Sequence, residues 1–119
     1  MKTILAVDDS APNLTLVRMT LNDHYKINVV TSGEQAVRYI EKKTPDLILM
    51  DVCMPGMDGI EAVKKIREIT GDSCRVIFLT ALADAQLNEQ LKEVESDGTV
   101  AKPFSPEELL SAVKSVIGE

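Results

Sequence analysis

A doubly wound α/β fold is predicted by three features of this sequence. Short runs rich in Val, Ile and Leu alternate with longer segments of helical periodicity, the short runs are mostly apolar rather than alternating, and the connections between them are brief. Strands buried on both faces read as continuous apolar runs, and right-handed crossovers then place helices on both sides of a parallel sheet. Five βα units account for the whole chain.

The expected strands are "TILAV" (3–7), "INVVT" (27–31), "DLILM" (46–50), "RVIFLT" (75–80) and "GTVA" (98–101). Between and after them, apolar residues recur at three and four positions, the spacing of one helix face: Leu14, Val17 and Leu21; Val37 and Ile40; Ile60, Val63 and Ile66; Leu87, Leu91 and Val94; Leu109, Val113 and Val116. Helix starts are expected at Ser10 with Pro12, at Ser32 with Gln35 and at Ser105 with Pro106 and Glu108, the last two as capping boxes.

With 119 residues the chain is long enough for one compact domain and too short for two. Residues 1–119 are read as one domain with no output domain in the chain, since no linker, repeat or low-complexity segment divides it. Aromatics make up only 3% of the residues and Trp is absent, so the core must be aliphatic. A net charge of -6 argues against direct nucleic-acid binding, which needs Lys and Arg to displace counterions. No apolar run approaches the ~18 residues of a membrane helix, and "MKTILAVDD" turns acidic too soon for a secretory signal. A cytoplasmic protein without membrane insertion is expected. Cys53 and Cys74 are then expected as free thiols, and His24 as a polar residue near a helix C-terminus, where a cation meets the dipole favourably.

In an open α/β sheet, ligands bind beyond the carboxyl ends of the strands. The residues at those ends are Asp8 and Asp9, then Asp51, then Thr80 and Ala81, then Lys102 and Pro103. Three carboxylates at one rim repel, and a divalent cation would relieve that; an all-oxygen set of few carboxylates plus water suits Mg²⁺ better than a Ca²⁺ cage. Lys102 supplies a point charge, Thr80 a hydroxyl, and Cys53 and Ala81 backbone N–H groups, a combination that suits a tetrahedral anion. A carboxylate beside Mg²⁺ and Lys can attack phosphorus and form an acyl phosphate, which makes Asp51 the expected nucleophile. Behind it, Pro55 and Gly56 form a turn, Gly59 lets the chain re-enter a helix, and Met54 and Met57 are expected as apolar plugs.

The succession "VDDS", "LILMDVCMPGMDG", "FLTA", "AKPFSPEEL" resembles the receiver domain of two-component response regulators, of the chemotaxis-regulator kind, over essentially the whole chain. The resemblance implies a flavodoxin-like (βα)5 sheet of strand order 2-1-3-4-5. It implies phosphorylation of Asp51, with Thr80 and Lys102 on the phosphoryl oxygens. It further implies Mg²⁺, or alternatively Mn²⁺, held by Asp9, Asp51 and the Cys53 carbonyl, with Asp8 acting through water. The donor would be a sensor histidine kinase or a histidine phosphotransfer protein, with acetyl phosphate as a small-molecule substitute, and the output a downstream protein target. Such a domain is not an enzyme in the turnover sense; it catalyses only its own Mg-dependent phosphorylation and dephosphorylation.

Two departures stand out. The family's usual aromatic three positions before the lysine is Thr99 here, which weakens the usual switch, and "ESDG" (95–98) replaces the frequent "GAD". Cys53 and Leu82, two past the acceptor and two past the threonine, are poor at orienting water, so slow self-dephosphorylation is expected. Other readings fare worse. A flavodoxin-type cofactor binder would not place two aspartates after strand one, and an aspartyl-phosphate phosphatase of the haloacid-dehalogenase type needs an aspartate where Cys53 stands. A degenerate receiver-like interaction module would have lost an acid, the threonine or the lysine.

Overall fold

The computed structural model describes residues 1–71, 73–80 and 96–118. Its strands are β1 (Thr3–Val7), β2 (Lys26–Val30), β3 (Leu47–Asp51), β4 (Arg75–Thr80) and β5 (Gly98–Ala101). The described helices are α1 (Ala11–Leu21), α2 (Gly33–Lys42), α3 (Gly59–Thr70) and α4 (Pro106–Ile117). All strand pairings are parallel, in the order β2-β1-β3-β4-β5. The doubly wound sheet expected from the apolar runs is therefore present. The helical periodicity at Leu87, Leu91 and Val94 lies outside the described residues.

Alternation along the central strands sorts the core into two layers. Ile4 and Ala6, Leu47 and Leu49, and Ile77, Leu79 and Val100 pack with Leu14, Val17 and Leu21 of α1 and with Leu109, Val113 and Ile117 of α4. Leu5 and Val7, Ile48 and Met50, and Val76 and Phe78 pack on the opposite face with Ala36 and Ile40 of α2 and Ile60, Val63 and Ile66 of α3. Burying β1, β3 and β4 on both faces is what makes these strands apolar at nearly every interior position.

Several boundaries shift by one residue. β2 begins at Lys26, which pairs with Thr3. Asp46 precedes β3: its carboxylate accepts from the Thr3 N–H at 2.7 Å and its own N–H donates to the Thr3 carbonyl at 2.8 Å. Asp51 is consequently the last residue of the strand, buried and in register with Leu79.

The caps differ in kind. Ser105 and Glu108 form the reciprocal capping box. Ser32 accepts from the Gln35 N–H, but Gln35 reaches one residue further back, to the N–H and hydroxyl of Thr31, so the expected box is not closed. Ser10 begins α1 by position only; its side chain makes no cap bond, and its N–H donates instead to Asp8 Oδ1 at 2.9 Å. Asp58 caps α3 through the Glu61 N–H, a D-x-x-E signal present in the sequence. Exposed His24 lies just past α1, its backbone N–H on the Leu21 carbonyl.

Candidate functional site

The two-residue period of a strand places the site. Asp8 continues the face of Ile4 and Ala6, Asp51 that of Leu47 and Leu49, and Lys102 that of Val100, so the three side chains emerge on the α1/α4 side of the carboxyl rim. Val7 pairs with Met50, which sets Asp8 beside Asp51. The ladder carries on past β5 through the Lys102 N–H to the Thr80 carbonyl at 2.8 Å, and the lysine side chain reaches back across the rim. Its ammonium donates to Asp51 Oδ1 at 2.8 Å and to Asp8 Oδ2 at 3.1 Å.

Asp8, Asp51 and Thr80 are the buried polar residues of the described chain, 1%, 3% and 2% exposed, whereas Asp9 is exposed. Carboxylate oxygens of Asp8, Asp9 and Asp51 lie within 4.8 Å of one another. Burial, with the neighbouring Asp8 charge added and Lys102 opposing, pushes the Asp51 carboxyl up to about 6. Burial thus makes the negative charge of Asp51 costly where it sits. For Lys102, burial pulls downward, but the hydrogen bond and charge of Asp51 and the charge of Asp8 outweigh it and the ammonium is held above its ordinary range. Lys102 is therefore a counter-ion between two carboxylates, and it offsets part of the repulsion expected among the acids.

The acidic group suits a hard cation. Mg²⁺ binds oxygens at about 2.1 Å, so opposed ligands stand roughly 4.2 Å apart and adjacent ones roughly 3 Å, a span that three carboxylates within 4.8 Å can meet with water completing the shell. Asp8 Oδ2 already accepts from Lys102 and, at 3.2 Å, from Asn13 Nδ2, while Oδ1 holds the Ser10 N–H. A carboxylate so engaged approaches a cation more readily through water than directly.

The loop after Asp51 turns back at once, with the Gly59 N–H donating to the Val52 carbonyl. Gly56 has φ of +76°, as the Pro55–Gly56 turn requires, and Met54 is buried with Met57 packed against the α2/α3 layer. Gly59 has a different reason from the one expected. Its φ is not positive; a Cβ there would stand 2.2 Å from the Asp51 carbonyl oxygen and 2.9 Å from Val52 Cα, so only glycine lets α3 start against the strand end. Cys53 is exposed immediately beyond this strand end, and Cys74 is buried with its thiol pushed up to about 11, chiefly by burial; both are free thiols. Ala81 and Leu82 lie outside the described residues. Asn13 and Glu34, both in first turns of helices and both bonded to this region, were not singled out by any motif.

The chain matches the response regulator receiver domain family over residues 4–114. It belongs to that family. The transcriptional regulatory protein ResD of Bacillus subtilis (strain 168) is 38% identical over 115 residues, covering 96% of this chain but 47% of its own length, so the chain spans about half of that relative. Sporulation initiation phosphotransferase F of the same organism is 36% identical, covering 96% of this chain and 92% of its own. Among solved structures, the receiver domain of sensor histidine kinase PA1611 from Pseudomonas aeruginosa PAO1, with a magnesium ion coordinated in its active site cleft, superposes with a TM-score of 0.90 at 34% identity, covering 99% of this chain and 98% of its own. Receiver domains bind Mg²⁺ in an acidic pocket, and the Asp8, Asp9 and Asp51 group of this receiver domain is such a pocket. Among the described residues no helix is long and apolar enough to cross a membrane.

Proposed function

We propose that this receiver domain accepts a phosphoryl group on Asp51 from a histidine kinase or a histidine phosphotransfer protein, and passes the signal to a downstream protein target. The observation that carries this reading is the pairing of buried Asp51 with Lys102 at 2.8 Å on a rim that also holds Asp8, Asp9 and Thr80. An oxygen of ionised Asp51 attacks phosphorus, the bond from phosphorus to the donor's leaving atom breaks, and its electron pair departs with that atom. Asp9, Asp51 and the Cys53 carbonyl would hold Mg²⁺, which would supply charge neutralisation for the transferring group. Lys102 moves from counter-ion of the carboxylate to partner of a phosphoryl oxygen, and the Thr80 hydroxyl and the N–H groups of Cys53 and Ala81 hold the others.

The protein's catalysis is confined to its own phosphorylation and dephosphorylation, and it works in the cytoplasm. Thr99 is exposed on β5, in register with buried Phe78, where a bulky ring would report engagement of Thr80. With less differential packing available there, the change at that surface is muted, because a ligand shifts a two-state equilibrium only through such differences. Intact mass after treatment with acetyl phosphate and Mg²⁺ tests the reading: one phosphoryl adduct is expected in the wild type and none in Asp51→Asn, while an adduct retained in the variant would overturn it.

A further inference from the structure

A contact far from the acidic cluster in sequence bears on the loop that follows Asp51. Glu34, in the first turn of α2, accepts a hydrogen bond from the Met57 N–H at 3.0 Å, joining residues 23 positions apart. Both segments carry a glycine that allows it. A Cβ on Gly56 would stand 3.3 Å from that same Glu34 oxygen, and one on Gly33 would stand 3.0 Å from the Met57 carbonyl oxygen and 3.1 Å from Met57 Cγ. Met57 in turn packs against the apolar layer beneath α2 and α3.

The loop from Val52 to Asp58 is therefore held at two places. At its base the Gly59 N–H donates to the Val52 carbonyl at 2.9 Å. Near its α3 end the Glu34 carboxylate holds the Met57 N–H, and exposed Cys53 lies between these anchors. Neither anchor touches the carboxylates themselves. A ligand carbonyl on an irregular segment has no helix or ladder to orient it, so its aim depends on how the segment is pinned.

We propose that Glu34 is a positioning residue for the cation and phosphoryl site: by fixing Gly56 and Met57 on the N-terminus of α2, it keeps the Cys53 backbone aimed at the rim occupied by Asp51. The inference rests on the proposed function above, and it assigns Glu34 no contact with cation or phosphate. An acceptor oxygen is what the position requires, so Glu34→Gln retains the clasp and Glu34→Ala loses it. Half-buried Glu34 contributes little apolar burial, so the alanine variant keeps the fold.

Three measurements test this. Amide exchange in the wild type should show the Met57 N–H protected; exchange at the rate of an open loop would overturn the clasp without any variant. Mg²⁺ titration followed by backbone NMR should give Glu34→Ala a dissociation constant raised about threefold to tenfold, with Glu34→Gln close to wild type. Beryllofluoride titration in Mg²⁺ should show the same ordering. Equal affinities in all three proteins would overturn the inference, as would a weakening in Glu34→Ala that tracks a general loss of thermal stability and is not rescued by Gln. If the wild type neither binds Mg²⁺ nor takes an acetyl phosphate adduct, it is the proposed function that fails, whatever the Met57 amide shows.

Discussion

Lys102 Nζ lies 2.8 Å from Asp51 Oδ1 across 51 residues of sequence, and the same ammonium reaches Asp8 Oδ2 at 3.1 Å. The carboxylate side chains are 5% and 2% exposed, so the lysine neutralises charge that water barely touches. Removing one partner of a buried pair strands the other. Lys102→Ala should therefore destabilise the metal-free protein by about 3 kcal/mol at pH 7, measured by urea unfolding in a chelator. Mg²⁺ should recover part of that loss, because it gives the same carboxylates another cation. Unchanged stability in the chelator would contradict the role assigned to the pair.

Asp51 makes a pH prediction with a definite sign. Its carboxyl is raised from 3.8 to about 6, chiefly by burial, so the folded state holds its proton more tightly than the unfolded chain does. Metal-free stability should then fall as pH rises from about 4 to about 6 and level off above, by a few kcal/mol in all. Asp51→Asn lacks this slope and should be the more stable protein at pH 7. Chemical unfolding of both proteins across that window checks it, and parallel curves would refute it.

Asp9 separates cation binding from folding. Exposed to solvent, it should change metal-free stability by no more than about 0.5 kcal/mol when replaced by Ala. In the wild type, Mg²⁺ at ten times its dissociation constant should add about 1.4 kcal/mol. Asp9→Ala should lose most of that increment at the same concentration. Thermal melts with and without Mg²⁺ decide the matter, and an undiminished shift would remove Asp9 from the site.

Cys53 leads to a prediction about the lifetime of the proposed phosphoryl group. Its exposed side chain offers no strong acceptor to hold an attacking water, so self-dephosphorylation should be slow. Cys53→Asn, with an amide able to orient that water, should shorten the phosphorylated lifetime several-fold or more, roughly, since orienting the nucleophile is a large part of the barrier. Decay followed after donor removal in Mg²⁺ tests it; an equal or longer lifetime would count against it.

The apolar runs and helical spacings determined a doubly wound sheet, and the strand-end residues Asp8, Asp9, Asp51, Thr80 and Lys102 marked its rim, because local propensity and burial pattern are written residue by residue. Periodicity also contained, unused, the fact that Asp8, Asp51 and Lys102 share a face. Only the tertiary structure decided that Lys102 bridges both acids, that Asn13 engages Asp8, that Asp46 is tied to Thr3, that Gly59 is required by the approach of Asp51, and that Glu34 clasps Met57. Each of these is a polar contact or close approach between different elements or their connecting segments, and its geometry is set by strand register and helix docking, which no local pattern encodes.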